Sequence, residues 1–170
     1  MRTELYIGYT DAGIYVGFHC YDPHPDSLVA KVNTVELAAE EADGDINESI
    51  WSDDIIELFI DANFDHRSYA HMGINSLGVV SDQWLPDGFN RETVDDDWNA
   101  TAALATKVGE DFWSLEYRLD FDEQKFPRPQ TGSRWGFNAV RVFRGEQYNQ
   151  WVRTFGRGHN SDNFGLLVFK

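Results

Sequence analysis

The chain of 170 residues contains a single cysteine, Cys20, which excludes an intrachain disulfide and a thiolate metal cluster. It is short of positive charge: 14 Lys and Arg face 29 Asp and Glu, for a formal net charge of −15. Such a surface repels phosphate backbones and anionic headgroups, which argues against nucleic acid as a partner. No apolar run approaches the roughly 20 residues of a membrane-spanning helix. Nor does the sequence contain G-x-S-x-G, a glycine-rich phosphate loop, H-E-x-x-H or C-x-x-C. Its five histidines show no i, i+4 pairing of the kind that holds zinc on a helix. Carboxylates are plentiful, but counting them neither argues for nor excludes a pair flanking a glycosidic bond, and the expectation is a protein that is not an enzyme. Met1-Arg2 leads directly into Thr3-Glu4-Leu5-Tyr6-Ile7 with no signal-peptide pattern. That abrupt start inside a strand is the reason to expect a segment of a longer protein.

Hydrophobic residues make up 42% and aromatics 15%, with 6 Trp, 7 Tyr and 12 Phe. The length and composition suit one globular domain over residues 1–170 with a surplus of planar side chains. Leu5, Ile7 and Tyr9 alternate with polar or small residues, and after Asp11-Ala12-Gly13 the alternation resumes with Ile14, Val16, Phe18 and Cys20, which predicts a hairpin. Pro23 and Pro25 end it. A short surface helix is expected over 32–42. Ile56, Leu58 and Ile60 share one face of a strand, with Ile55, Glu57 and Phe59 on the other. Further strands are expected near 68–75, 79–85, 98–108, 112–119, 136–144, 148–155 and 164–169, separated by turn residues. Many short strands and little helix predict an all-β, immunoglobulin-like antiparallel sandwich of jelly-roll type.

Two oxygen-rich loops invite a hard cation. Asp61-Ala62-Asn63-Phe64-Asp65 offers oxygens at alternate positions, suited to calcium, although His66 and Met72 stand where an EF-hand has Gly and Glu. Asp43, Asp45, Asn47 and Glu48 form the second. For either loop alone, polar turn residues facing water are the simpler explanation. Trp51 precedes the strand that carries Glu57, and His71, Gly73 and Asn75 alternate with Ala70, Met72 and Ile74 on the next one. If the second set faces away from the core, Glu57, His71 and Asn75 share a polar face beside an aromatic plate. A pyranose stacks its apolar face on such a ring and needs fixed donors and acceptors for its hydroxyls. The alternative puts Trp51 at the core edge and pairs Glu57 with an arginine across strands. Trp113, Trp135 and Tyr117 read as core, and Glu116, Arg118 and Arg141 as members of cross-strand ion pairs.

Thr3–Tyr9 with Gly13–Pro23, then Trp51-Ser52-Asp53-Asp54 with Ile56–Asp61, Ile74–Gly78, Trp113–Leu119, Gly136-Phe137-Asn138 and Asn163–Leu167 follow in an order that resembles family 9 carbohydrate-binding modules over nearly the whole chain. The resemblance implies a β-sandwich that binds sugars without chemistry, often with structural calcium. It matches Trp51 to one of two aromatic plates around a terminal sugar, and Glu57 and Asn75 to ligand-contacting positions. In two places this chain departs from the family: 158–162 has no Trp for the second plate, and Gly73 stands where the family has a ligand-binding Arg. His159 and Arg141 are the candidates to take over those two roles. The expectation is thus a non-catalytic module of a larger exported protein, extracellular or periplasmic, recognising the end of an oligosaccharide or polysaccharide. The rest of the parent polypeptide, or a second copy docking on an exposed strand edge at 3–10, are its expected protein partners. The alternative function is an envelope accessory domain that has lost sugar binding.

Overall fold

A computed structural model describes residues 1–33, 49–144, 147–156 and 158–170. The expected helix over 32–42, apart from its first two residues, and the oxygen-rich loop at 43–48 lie outside them. Among the described residues ten strands form: β1 (Thr3–Tyr9), β2 (Gly13–Tyr21), β3 (Ile55–Asp61), β4 (Tyr69–Asn75), β5 (Val80–Leu85), β6 (Ala102–Val108), β7 (Phe112–Asp120), β8 (Arg134–Phe143), β9 (Gln147–Gln150) and β10 (Gly165–Val168). All pairing is antiparallel. One sheet runs β1-β2-β7-β6 and the other β10-β8-β3-β4-β5. Both β10 and β9 pair with β8, at successive stretches of the edge that β3 leaves open. Short 3-10 turns at Pro25–Ser27, Ile50–Ser52, Arg91–Thr93 and Ser161–Asn163 are the helical elements among the described residues. This is the all-β sandwich the alternation predicts.

The core between the sheets follows the period of two. Ile14, Val16, Phe18 and Cys20 of β2 sit opposite Leu119, Tyr117, Leu115 and Trp113 of β7. They face Ile56, Leu58, Ile60, Ala70, Met72, Ile74, Trp135 and Phe137 of the larger sheet, all buried. Burial also pushes the Cys20 thiol up to about 12, so it stays protonated.

The outer face of the larger sheet differs from the sequence expectation of an open polar surface. All seven residues of β3 are buried. Ile55, Phe59, Tyr69, Leu85, Val140 and Val142 form a second apolar cluster on that face, roofed by Val32, Ile50, Val79 and Phe164. The roof has no strand ladder, and its backbone is held by carboxylates. Asp53 accepts from the N–H groups of Lys31 (2.8 Å) and Val32 (3.2 Å) and from the Asn75 amide (3.0 Å). Asp54 accepts from the N–H groups of Val29 (2.6 Å) and Arg144 (2.8 Å).

Two expected strands are shorter than the alternation suggests. Residues 98–101 leave the ladder because Asp82 accepts the Ala100 N–H at 2.5 Å, which lets Trp98 and Ala100 pack on the core from a loop. After Gln150 the chain bends because the Asn138 amide takes both the N–H and the C=O of Val152, and Phe155 adopts a positive φ of 58°. Of the expected cross-strand ion pairs, Arg118 pairs instead with Asp120 on its own strand at 2.6 Å, while Arg141 lies 3.9 Å from Asp22, just past β2.

Because Asp53 neutralises three donors in a dry environment, Asp53→Ala leaves buried N–H groups without partners. The expected cost is about 3 kcal/mol or more, with Asp53→Asn intermediate, read from urea denaturation. A loss below about 1 kcal/mol would mean that the roof is held in some other way.

Candidate functional site

The centre of this outer face has a floor built around Glu57 and His71. Glu57 on β3 pairs in register with Gly73 of β4, and His71 of β4 pairs with Phe59 of β3 and Gln83 of β5. His71 is 3% exposed. Its Nε2 lies 2.9 Å from Glu57 Oε2 and its Nδ1 lies 3.4 Å from Gln83 Oε1. Its ring is held between two aromatic planes, Trp51 at 4.6 Å and 18° and Phe59 at 4.4 Å and 13°. Glu57 therefore pairs with a histidine, not with the arginine that one sequence reading allowed.

Two glycines make this packing possible. A Cβ on Gly73 would sit 2.7 Å from Trp51 Cζ3, so the indole occupies the space where the resemblance implies an arginine. Gly158 has a φ of 88°, and a Cβ there would lie 2.5 Å from Phe59 Cζ. That close approach brings the next residue, His159, against the stack, edge-on to both Phe59 (5.1 Å) and His71 (4.6 Å). The Tyr69 hydroxyl is 2.9 Å from His159 Nδ1, and Arg91 Nη1 is 3.0 Å from the same nitrogen. Burial, then the neighbouring His71 and Arg91, push the His159 pKa down to about 2. Burial likewise pushes the Tyr69 hydroxyl up to about 12. The residues around this floor enclose a cavity of about 340 Å³ whose walls add Gln83, Arg91 and Tyr148. Tyr148 is 48% exposed, and the Trp51 indole is half-buried.

Of the sequence candidates, Trp51, Glu57, His71 and His159 converge here, and two do not. Asn75 shares the face but is fully buried and spent on structure. Its amide donates to the Val32 carbonyl (2.7 Å) and to Asp53, and its Oδ1 accepts from the N–H groups of Leu77 (3.1 Å) and Val79 (3.0 Å). Arg141 lies on the opposite, inward face, paired in register with Ile56. Its Nη1 donates to the Tyr21 carbonyl (3.0 Å), Thr3 Oγ1 (3.2 Å) and the Arg2 carbonyl (3.3 Å), so it cannot reach the cavity. Sequence reading missed Gln83, Arg91 and Tyr148. Gln83 was legible in principle, because its alternation in β5 matches that of His71 in β4; the other two come from a loop and a short edge strand with no pattern.

No family model matches the sequence, and no curated protein does. Solved structures match it across its length. A family 9 carbohydrate-binding module (CBM9) from Caldicellulosiruptor kristjanssonii in complex with glucose superposes with a TM-score of 0.67 at 18% identity, over 99% of this chain and 76% of that one. The module from that organism in complex with cellotriose gives 0.66 at 17% identity, over 98% and 74%. A protein from Bacteroides uniformis ATCC 8492, described as a candidate carbohydrate-binding protein, gives 0.73 at 17% identity, over 99% and 78%. The chain has a CBM9-like fold. On this CBM9-like scaffold the cavity occupies the outer face of the larger sheet, between the roof and β9.

The acidic loop after β3, where calcium is expected, is closed by its own hydrogen bonds. Asp61 accepts from the N–H groups of Asp65 (3.2 Å) and His66 (2.9 Å). Asp65 accepts from the N–H groups of Arg67 (2.8 Å) and Ser68 (2.7 Å) and from the Ser68 hydroxyl (2.7 Å), while the Asn63 amide donates to that hydroxyl at 3.4 Å. Burial raises the Asp61 pKa, which a cation at this loop would oppose. Asp61 and Asp65 thus close the turn on its own backbone amides, and Asn63 braces it through Ser68. Calcium added to chelator-treated protein is expected to move the melting midpoints of wild type and Asp65→Asn equally. A rise confined to the wild type would restore calcium to this loop.

The depressed His159 pKa sets a pH dependence. Unfolded, this histidine titrates near its usual value of about 6.5; folded, it does not bind a proton until about pH 2. Between those values the unfolded chain binds the extra proton, so stability is lost as pH falls through 6.5. By pH 5 the loss attributable to His159 is roughly 1–2 kcal/mol. His159→Gln should flatten the fall in melting temperature between pH 7.5 and 5, and an unchanged slope would contradict the burial argument.

Proposed function

We propose that the chain is a non-catalytic carbohydrate-binding module whose ligand occupies the cavity lined by Trp51 and Tyr148. One observation carries this reading: an aromatic-walled cavity with a fixed polar floor sits on the outer sheet face of a CBM9-like fold. Two of the structures with that fold were solved with glucose and with cellotriose. A cavity of about 340 Å³ is at the small end for ligand sites, roughly 300–1,000 Å³, which suits the end of an oligosaccharide or polysaccharide better than its interior. Rings supply stacking surface, while Glu57, Gln83 and Arg91 supply hydrogen-bond partners for hydroxyls.

Binding without turnover follows from the carboxylate inventory of the cavity. Glycoside hydrolysis of the usual kind needs two carboxyl groups, about 5–5.5 Å or 6.5–9.5 Å apart. Among the described residues the cavity is lined by one, Glu57, and that one is engaged with His71. The same reading makes the chain part of a larger exported polypeptide, extracellular or periplasmic, where polysaccharides are met. It also assigns pairing with a second copy to the outer edge of β1, the end strand of the smaller sheet.

Titration calorimetry against glucose, cello-oligosaccharides and a broad glycan panel tests the reading. Tyr148 is the better probe than Trp51, because removing the indole also strips cover from His71 and Gly73. Losing a stacked tyrosine forfeits about 1–2 kcal/mol, so Tyr148→Ala should weaken saccharide binding several-fold to roughly 30-fold with little change in melting temperature. No sugar should be cleaved. Absence of binding across the panel would leave the accessory-domain function as the better one, and turnover lost in Glu57→Gln would make this an enzyme.

A further inference from the structure

We propose that Glu57, His71 and His159 form a site for a zinc-type transition-metal ion on the floor of the cavity. The three come from β3, β4 and the loop before β10, and one ligand atom from each lies within 4.8 Å of the others. Zinc bonds of about 2.0–2.1 Å in a tetrahedral shell put ligand atoms roughly 3.3 Å apart. The His71 to Glu57 separation, 2.9 Å, is already of that order. Closing the shell asks only His159, on a loop, to move by an ångström or so.

The orientation of the two imidazoles is what singles this cluster out. A metal-binding histidine typically offers one ring nitrogen to the ion while the other is fixed by a neighbouring polar group. His71 has Gln83 Oε1 at its Nδ1, and His159 has the Tyr69 hydroxyl at its Nδ1. His71 Nε2 already faces the Glu57 carboxylate, and Nε2 of His159 is the ring nitrogen that would turn to the ion once Arg91 gives way. The stack of Trp51 and Phe59 holds His71 rigidly, so little side-chain freedom is lost on binding. Two imidazoles and one carboxylate make a donor set for zinc or its neighbours and not for calcium, which takes oxygen shells. The three protein ligands leave a coordination position open towards the cavity.

One group opposes the ion. Arg91 Nη1 stands 3.0 and 3.2 Å from the two ring nitrogens of His159. Its side chain is exposed at the rim and has room to swing outward when the metal enters. Arg91 thus acts as a competing cation, and its removal should favour the ion. That sign is opposite to what loss of a structural contact would produce.

The test uses the untagged full chain after chelator treatment, titrated with zinc chloride by calorimetry and repeated with cobalt(II), whose visible absorption reports its coordination. One zinc per chain is expected. His159→Gln and Glu57→Gln should weaken binding at least tenfold, and Arg91→Gln should leave it equal or tighter. Melting curves of the chelated variants establish that each is folded. His159→Gln and Arg91→Gln alter a loop and the rim, so they keep the test decisive if Glu57→Gln fails to fold. No zinc uptake by the wild type, uptake that survives His159→Gln, or weakening by Arg91→Gln would each overturn the site. The proposal does not rest on sugar binding: zinc uptake without any saccharide affinity, or the reverse, separates the two.

Discussion

The structure turns on the burial of β3 from both sides. A central strand with a packed face on each side tolerates a carboxyl group only if that group is hydrogen-bonded, because an unpaired buried acid costs several kcal/mol. Glu57 meets this condition through His71, the nearest polar side chain on the neighbouring strand. His71 in turn must have its flat faces covered, and Trp51 and Phe59 do that. One acidic residue in the middle of an apolar stretch, Ile55–Ile60, therefore dictates a histidine beside it, two rings above and below, and glycines where those rings need room. The cavity exists because this chain of requirements ends at the protein surface.

The same requirements explain why the cavity has a rigid floor and looser walls. Glu57 and His71 sit in the ladder of the sheet, where neighbouring strands fix their backbone on both sides. Arg91 and Tyr148 belong to a 3-10 turn and an edge strand of four residues. A ligand meeting this site finds preorganised polar atoms below and adjustable surface at the rim, so ordering costs fall mainly on the rim. Trp51 belongs to the floor more than to the rim, since its indole packs over Gly73 and His71. The tyrosine of β9 faces the cavity with much of its ring exposed and is the wall that a sugar can use without disturbing the packing.

Much of the architecture could be read from alternation alone. Ile14, Val16, Phe18 and Cys20, and Ile56, Leu58 and Ile60, gave the strands and the buried side of each, because a period of two is the direct signature of a pleated strand. The outer face was misread for an equally physical reason. Glu57, His71 and Asn75 look like a solvated face in one dimension, yet Ile55, Phe59 and Tyr69 lie on that same side and require cover. The cover comes from segments with no periodicity, 28–33, 49–53 and the turns after β5 and β9, which no strand pattern reveals. Arg141 was misplaced because being a candidate by residue type says nothing about which way an odd or even position points; Ile56, its partner across β3, points inward.

The acidic residues show the same gap between composition and structure from another direction. An excess of carboxylates reads as solvated surface or as cation loops, but several of them are acceptors for backbone N–H groups. Asp53 and Asp54 hold the roof, Asp61 and Asp65 close a turn, Asp82 takes the Ala100 N–H and Asp22 takes that of His24. The reason lies in what the roof is made of. Loop segments laid across an apolar sheet face carry N–H groups that have neither water nor a ladder, and every one needs an acceptor. A short carboxylate side chain supplies two oxygens that can bind two or more donors at once, and donors bound to a charged acceptor are held more strongly than those on a carbonyl. Asp53 and Asp54 therefore act as scaffolding for the roof. The two-sided burial of Glu57, and the cavity that depends on it, require those aspartates even though none of them touches a ligand.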